Sequence, residues 1–275
     1  MLRDLRRYLH AAYIDFRLFV TGKREPDLPP LRLRDVGPGD FRRVGEDLVA
    51  MLAAKGGLKP TDRVLDIGCG VGRVALPLTR FLRDGGTYDG FDVVKPWVRW
   101  CAKHITPRHP YFRFAHADVF NTHYNRRGTP AARYRFPYAD ASFDFAFATS
   151  VFTHLGLDDA RQYLREAHRV LRPGGTLLAT FFLLDEEVKS RMGPDTGMNF
   201  HAVRGRYRLA DETDPDAAIA FDDDLLDELM PRDEWSERHI TRGGWRGRGE
   251  EGWQDVVVAR AARAGSQAHR RTGSQ

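Results

Sequence analysis

Strand-like and helix-like stretches alternate through the middle of the chain. Apolar runs predict strands at 63–67, 87–92, 111–116, 143–149 and 176–182. Helices are predicted between them, notably at 71–82, 96–104 and 157–171. Such alternation indicates an α/β fold, in which helices cover both faces of a parallel sheet.

Apolar residues near the N-terminus recur at steps of three and four. This spacing predicts a basic helix with one apolar stripe, formed by Leu2, Leu5, Leu9, Ala12, Phe16 and Phe19. A substrate cap, a dimer seam and a membrane-surface contact are functional interpretations of the stripe. We expect the simpler outcome, a helix packed against the following domain. Residues 25–40 are rich in proline, glycine and charge and indicate a connector, and 41–55 are predicted to be helical.

The chain beyond residue 170 departs from the regular alternation. Pro173 and Gly174 predict a helix stop and a turn before the strand at 176–182. Residues 183–222 show no clean periodicity, and we expect 183–235 to form an insertion that acts as a substrate lid. A short helix at 225–230, strands at 237–242 and 255–260, and a disordered polar tail at 261–275 complete the prediction. Residues 1–40 are thus an N-terminal extension, and 41–260 form one domain.

Composition narrows the class of protein. With 275 residues and 42% hydrophobic content, the chain can bury a substantial core. The net charge of +5 is modest, and residues 211–234 are acidic, so the continuous basic stripe of a nucleic-acid groove is not expected. The two cysteines, Cys69 and Cys101, favour a reducing compartment. Charged residues interrupt the apolar stretch at 11–20, and no segment is long enough for a membrane span, so we expect a cytoplasmic protein.

The run from Val64 to Gly72 carries the most specific chemistry. Three glycines at alternate positions follow a predicted strand and precede a predicted helix, an order that presents backbone groups to a nucleoside cofactor. Dinucleotide sites usually space their glycines G-x-G-x-x-G, but Arg73 occupies the last of those positions. Asp66 stands two residues before the first glycine, so the pattern is D-x-G-x-G-x-G.

Two further acids follow predicted strands. Asp92 ends the second strand, 20 residues after Gly72, where a carboxylate can accept hydrogen bonds from both ribose hydroxyls. Asp118 follows the third strand and could accept a hydrogen bond from an adenine amino group, with Val119 or Phe120 packed on the base.

With these motifs, residues 60–182 resemble the core of the class I methyltransferases that use S-adenosylmethionine (SAM). The resemblance implies a Rossmann-like sheet of seven strands with the last strand antiparallel, and SAM bound across the carboxyl ends of the strands. It implies S-adenosylhomocysteine as the product. Position by position, the glycine-rich loop would hold the methionine end, Asp92 the ribose and Asp118 the adenine. The full set of implied cofactor contacts is Asp66, Gly68, Cys69, Gly70, Gly72, Asp92, Val93, Asp118, Val119, Ser150 and Val151.

A finer resemblance, to a bacterial branch similar to methyltransferase types 11 and 12, rests on residues 121–125, 136–137, 150–155 and 253–255. Members of that branch often modify small molecules or glycans, so the implied partner is a small-molecule or glycan methyl acceptor. The sequence sets no oligomeric state.

His154 is the best candidate for a general base. It follows the fourth strand, on the side where the methyl group should point, and imidazole takes up protons near neutral pH. The alternative is a histidine that only packs at a helix start. The other predicted substrate-facing residues are His123, Tyr124, His201 and Trp245, with Arg246 and Arg248 near the same mouth.

Several reaction types are disfavoured by missing motifs. The fourth strand is not followed by the Pro-Pro motif of exocyclic-amine methyltransferases or by a Pro-Cys pair. No carboxylate follows Phe147 to hold a catalytic magnesium ion, so we predict no metal. The leading hypothesis is metal-independent methyl transfer by in-line displacement, to a hydroxyl. The alternatives are an RNA or protein methyltransferase, an NAD-dependent oxidoreductase and a SAM-binding protein without catalysis.

Overall fold

The computed structural model describes residues 2–23, 25, 27–34, 39–122, 125–193, 196–247 and 252–262, with side chains of the first helix from residue 8 onward. Of the predicted disordered tail at 261–275, residues 263–275 lie outside this part of the chain, whereas Ala261 is the last residue of a strand. The described strands are β1 (Arg63–Ile67), β2 (Thr87–Asp92), β3 (Phe112–His116), β4 (Phe143–Ala148), β5 (Leu171–Phe181), β6 (Leu183–Leu184), β7 (Ala202–Arg204), β8 (Tyr207–Leu209), β9 (Ile219–Asp222), β10 (Trp235–Thr241) and β11 (Asp255–Ala261).

The described α-helices are α1 (Leu2–Val20), α2 (Phe41–Gly56), α3 (Ala75–Phe81), α4 (Lys95–His104), α5 (Leu157–Val170), α6 (Glu186–Ser190) and α7 (Leu225–Leu229). Local chemistry explains the bounds of α2. Asp40 caps its first turn by accepting a hydrogen bond from the backbone nitrogen of Arg43, and Gly57 ends it in the left-handed conformation. Helix α3 begins later than the predicted residue 71, because the glycine-rich loop occupies the residues before it.

Seven strands form the main sheet, in the order β10-β11-β5-β4-β1-β2-β3. Strands β1 to β5 are parallel, and β11 runs antiparallel to both β5 and β10. The predicted seven-stranded, mostly parallel sheet with an antiparallel last strand is therefore confirmed. The strand order reverses between β1 and β4, and ligands of such folds bind beside the carboxyl ends of the strands at this point.

The predicted turn at 170–175 is wrong in one respect. Strand β5 already begins at Leu171, which pairs with Phe143, and the register with β4 shifts before Thr176 pairs with Phe145. Pro173 and Gly174 therefore form an irregularity within the strand, where the ladder tolerates a missing donor.

Side chains of the central strands alternate between two cores, one on each face of the sheet. On one face, Val64 and Phe145 pack with helices α2, α3 and α4. On the other face, Leu65 and Ala146 pack with α5 and α7. Because both faces are covered, the central strands are mostly apolar, and an exception is the buried Asp89 of β2, which pairs with Arg113 of β3.

The expected insertion contains a second sheet that the sequence pattern did not reveal. Strands β6, β9, β8 and β7 lie side by side in that order. A separate small core supports them, formed by Phe182, Leu184, Val188, Phe200, Ala218, Ala220 and Trp245. The insertion is thus a folded subdomain. Its strands are two to four residues long, which is too short to show periodicity in the sequence.

The expectation that the stripe of α1 packs on the domain is wrong. Leu9, Phe16 and Phe19 are exposed, whereas Asp15, on another face of the helix, is buried. The Asp15 carboxylate accepts hydrogen bonds from the backbone nitrogens of Leu31 and Arg32 and from the Arg32 guanidinium. These polar bonds, and not the apolar stripe, attach the helix. Among the described helices, none is long and apolar enough to cross a membrane.

Candidate functional site

The loop between β1 and α3 brings backbone groups to the carboxyl end of the sheet. Gly68, Gly70 and Gly72 all have positive φ, of 78°, 54° and 80°. At Gly68 a side chain would also meet a neighbour, because an added Cβ would lie 2.5 Å from Cγ2 of Val151. Glycine is therefore required at position 68 for two reasons: the backbone has a positive φ, and Val151 leaves no space for a side chain.

Asp66 lies fully inside the protein at the end of β1. Its carboxyl accepts a hydrogen bond of 2.6 Å from the hydroxyl of Tyr88. Burial raises the pKa of Asp66 to about 8, although the Tyr88 hydrogen bond works in the opposite direction. The carboxyl is therefore mostly protonated at neutral pH in the absence of ligand. Cys69 beside it is also buried, and burial raises the pKa of its thiol well above the usual value, so the thiol is not a nucleophile.

Asp92 ties the end of β2 to the glycine-rich loop. One carboxylate oxygen accepts a hydrogen bond from the backbone nitrogen of Gly70 and the other accepts one from that of Val94, both 2.8 Å long. Burial raises the pKa of Asp92, and the backbone hydrogen bonds limit that rise. Each oxygen keeps a second lone pair, so the pair could also accept two ribose hydroxyls. The backbone oxygen of Val93, next in the chain, lies 3.2 Å from Nε2 of His116.

Asp118 is exposed after β3, and its carboxylate accepts a hydrogen bond of 2.8 Å from Nδ2 of Asn125. Val119 is buried in the core beside it, whereas Phe120 is 45% exposed. Of the two side chains predicted to pack on a base, only Phe120 presents an accessible ring. Asp118 and Phe120 are therefore accessible at the third strand end.

The segment after β4 begins with a strained residue. Ser150 has φ of 58°, a conformation that residues with a side chain rarely adopt. Its backbone nitrogen donates to the hydroxyl of Thr180, and its own hydroxyl donates to Oε1 of Gln254, 3.0 Å away. Strain of this kind concentrates at ligand sites. Gln254 was part of a predicted family motif but had no predicted role at the site.

His154 is exposed and held by the insertion. Its Nδ1 lies 2.8 Å from the backbone oxygen of Asp216. A carbonyl oxygen only accepts hydrogen bonds, so Nδ1 is the donor, and in the neutral imidazole the lone pair is therefore on Nε2. The carboxylate of Asp216 in turn accepts a hydrogen bond from the hydroxyl of Thr122, in the segment after β3. Sequence reasoning missed Asp216, because it lies in an acidic stretch that gave no positional signal.

Of the remaining predicted residues, those that the structure describes are not gathered around His154. Trp245 does not face a substrate: it is fully buried, and its indole nitrogen donates to Asp255 at 2.9 Å. Arg246 is buried as well and pairs with Asp185. Both side chains stabilise the insertion instead: Trp245 lies in its small core, and Arg246 forms one of its ion pairs. His201 is exposed, beside the acids at 211 and 212. His123, Tyr124 and Arg248 lie outside the described residues.

Comparison with known proteins agrees with this geometry. Residues 65–179 match the family model described as a methyltransferase domain. The chain is 32% identical over 180 residues to malonyl-[acyl-carrier protein] O-methyltransferase of Hahella chejuensis, covering 64% of this chain and 56% of that protein. It is 32% identical over 145 residues to 27-O-demethylrifamycin SV methyltransferase of Amycolatopsis mediterranei, covering 52% and 45%. The matches thus span about half the length of these curated relatives.

Among solved structures, the PH0226 protein from Pyrococcus horikoshii has the same fold, with a TM-score of 0.55 at 16% identity, covering 83% of this chain and 94% of that one. The fold and the loop define a Rossmann-like α/β protein that binds a nucleoside cofactor at its strand ends. The matching domain model and the relatives support the class I SAM-dependent methyltransferases as the family that this chain resembles. SAM is the cofactor of this family, so a nicotinamide dinucleotide is not expected.

The residues present fit SAM. The positive-φ glycines present backbone groups at the end of β1, where Gly68 is half-exposed, and Asp92 offers two carboxylate oxygens at the second strand end. When bound, SAM supplies a methyl group on a positively charged sulfur, which is already an activated leaving group.

Proposed function

We propose that this protein transfers the methyl group of SAM to a hydroxyl oxygen of a small-molecule or saccharide acceptor, without a metal. The observation that carries the proposal is the geometry of His154: it is exposed after β4, its Nδ1 is bound to the Asp216 carbonyl, and its Nε2 has no hydrogen-bond partner among the residues that the structure describes. The names of two relatives, malonyl-[acyl-carrier protein] O-methyltransferase and 27-O-demethylrifamycin SV methyltransferase, support an oxygen atom as the methyl acceptor.

The chemistry assigned to His154 is proton removal. Nε2 takes the proton of the acceptor hydroxyl as that oxygen bonds to the methyl carbon, and the bond from carbon to sulfur breaks. General-base catalysis of this kind typically contributes about 10²- to 10⁴-fold to the rate. Alignment of the acceptor oxygen with the methyl carbon contributes separately, through the surrounding strand-end segments.

The insertion supplies the means to exclude water. Asp216 contacts both the segment after β3, through Thr122, and the segment after β4, through His154. A closed insertion would separate a reacting hydroxyl from solvent and hold the imidazole at one angle. The residues of the insertion that face the acceptor would then select it.

The test has two stages. Thermal-shift titration should show that SAM and S-adenosylhomocysteine, but not NAD, raise the melting temperature. S-adenosylhomocysteine release should then be measured across a panel of hydroxylated small molecules and saccharides. Stabilisation by NAD and not by SAM would overturn the cofactor, and turnover confined to amine acceptors would overturn oxygen as the target atom. Binding of SAM with no turnover on any acceptor would favour a binding protein.

A further inference from the structure

Helix α1 presents a continuous apolar face to solvent. Leu9, Tyr13, Phe16 and Val20 follow one another at steps of three and four, so they lie along one side of the helix. All four are more than half exposed, from 57% at Leu9 to 65% at Val20. Phe19 and Tyr8 extend the face and are 67% and 51% exposed.

This concentration is unusual within the described part of the chain. Six large apolar side chains are exposed on this one helix, whereas the others that are exposed, Tyr111, Phe120, Val203 and Trp253, lie singly on separate elements. Contiguous exposed apolar surface on a folded protein marks an interaction site, whereas scattered residues need no explanation.

The attachment of α1 keeps that face outward. Asp15 lies on a different side of the helix and accepts hydrogen bonds from the backbone nitrogens of Leu31 and Arg32, at 2.6 and 3.2 Å, and from the Arg32 guanidinium. Ala11 and Leu18, which share that side, are half-buried. The helix is therefore anchored to the 3₁₀ turn at Leu31–Leu33 through the side that carries Asp15.

The charge of residues 1–24 indicates which kind of partner binds the apolar face of α1. Residues 1–24 contain six basic residues, Arg3, Arg6, Arg7, Arg17, Lys23 and Arg24, against two acids, Asp4 and Asp15. Asp15 is engaged within the protein, and Arg17 is exposed beside Phe16. A second copy packed on the same face would bring two such cationic segments together, which is unfavourable. An anionic lipid surface complements both the charge and the apolar, aromatic face.

We propose that α1 is a peripheral membrane anchor, which lies in the headgroup region of an anionic bilayer with Leu9, Tyr13, Phe16, Phe19 and Val20 inserted. The aromatic rings suit the interface between water and hydrocarbon, and the basic side chains contact the lipid phosphates. Binding is weakened by salt, because part of the attraction is between exposed charges.

The experiment is sedimentation of the full chain with vesicles of phosphatidylcholine alone and of phosphatidylcholine mixed with phosphatidylglycerol; it needs neither cofactor nor acceptor. The wild-type protein is expected to bind the mixed vesicles at least about tenfold more strongly than the neutral ones. The double variant Phe16→Ser/Phe19→Ser should lose about tenfold or more of that binding with an unchanged melting temperature, since both rings are exposed. Val203→Ser, at an exposed apolar residue on β7, is the matched control and should bind as the wild type does.

A charge variant, Arg17→Glu/Lys23→Glu, should weaken binding to the mixed vesicles only. Equal binding of wild type and Phe16→Ser/Phe19→Ser, or no binding to anionic vesicles, would overturn the proposal. So would a dimer in analytical ultracentrifugation that dissociates in Phe16→Ser/Phe19→Ser, because the face would then be an interface between two copies.

Discussion

The imidazole of His154 donates a hydrogen bond of 2.8 Å from Nδ1 to the backbone oxygen of Asp216, 62 residues further along the chain. This contact joins the segment after β4 to the insertion. It also determines which ring nitrogen can act as a base, since the carbonyl leaves Nε2 as the unprotonated nitrogen.

The substitution His154→Asn separates these two roles. The asparagine amide can replace Nδ1 as the donor to Asp216, but it offers no group to replace Nε2. We expect kcat to fall by about 10²- to 10⁴-fold, while SAM affinity and the melting temperature stay near the wild-type values. Steady-state kinetics on an acceptor found in the panel, with SAM affinity by calorimetry, provides the check. His168→Gln is the matched control, because one ring nitrogen of that half-buried histidine, Nε2, also lies within hydrogen-bond distance of a backbone oxygen, that of Glu234, and a glutamine amide can replace it. An active His154→Asn enzyme would remove the base assignment.

Alanine at Gly68 should destabilise the protein more than alanine at Gly57. The two glycines have similar φ, 78° and 70°, so both variants incur the cost of a left-handed alanine, about 1–2 kcal/mol. An added Cβ meets Val151 only at Gly68, which adds about 1–3 kcal/mol of overpacking. Urea unfolding measures both, and Val151→Ala in the Gly68→Ala background should recover the excess. Equal losses in the two single variants would contradict the predicted clash.

The pKa of Asp66 predicts a pH-dependent stability. The folded protein keeps this proton up to about pH 8, whereas the unfolded chain releases it near 3.8. The carboxyl therefore lowers the free energy of unfolding as the pH rises from about 4 to about 8, by at most about 1.4 kcal/mol per pH unit. In Asp66→Asn this decline should be smaller, and the difference appears in urea unfolding series between about pH 5 and pH 8. Asp84→Asn, in an exposed turn, should follow the wild-type curve. Parallel curves for Asp66→Asn and wild type would mean that Asp66 is ionised in the folded protein.

Replacing Trp245 should affect stability and not ligand binding. Trp245→Phe removes the indole donor to Asp255 and leaves a void in the small core of the insertion. We expect a loss of about 2–4 kcal/mol in the free energy of unfolding, measured by chemical denaturation, with unchanged SAM affinity. Trp253→Phe, at a ring that is 52% exposed, should cost less than about 0.5 kcal/mol. Weaker ligand binding by a fully stable Trp245→Phe protein would restore Trp245 as a site residue.

Local patterns in the sequence were enough to predict the strands and the glycine-rich loop that form the candidate site. The bounds of β1 and β2 match the prediction, because a buried parallel strand is a short apolar run with glycine or acid at its end. The D-x-G-x-G-x-G loop and Asp92 could be assigned for the same reason: a tight turn at a strand end needs particular residues at particular spacings. These features depend on neighbours within a few residues, which the sequence displays directly.

Contacts between distant segments could not be read in that way. Asp216 and His154 belong to different elements, and the parallel pairing of Leu183 with Phe221 depends on where the whole insertion lies. The sequence predicted that Trp245 faces the substrate, but its side chain belongs to the small core of the insertion. The stripe of α1 has a clear periodicity, but periodicity shows only that a face is apolar. Which face is covered depends on the partner surface available, and here Asp15 and the backbone of Leu31 and Arg32 provided the attachment.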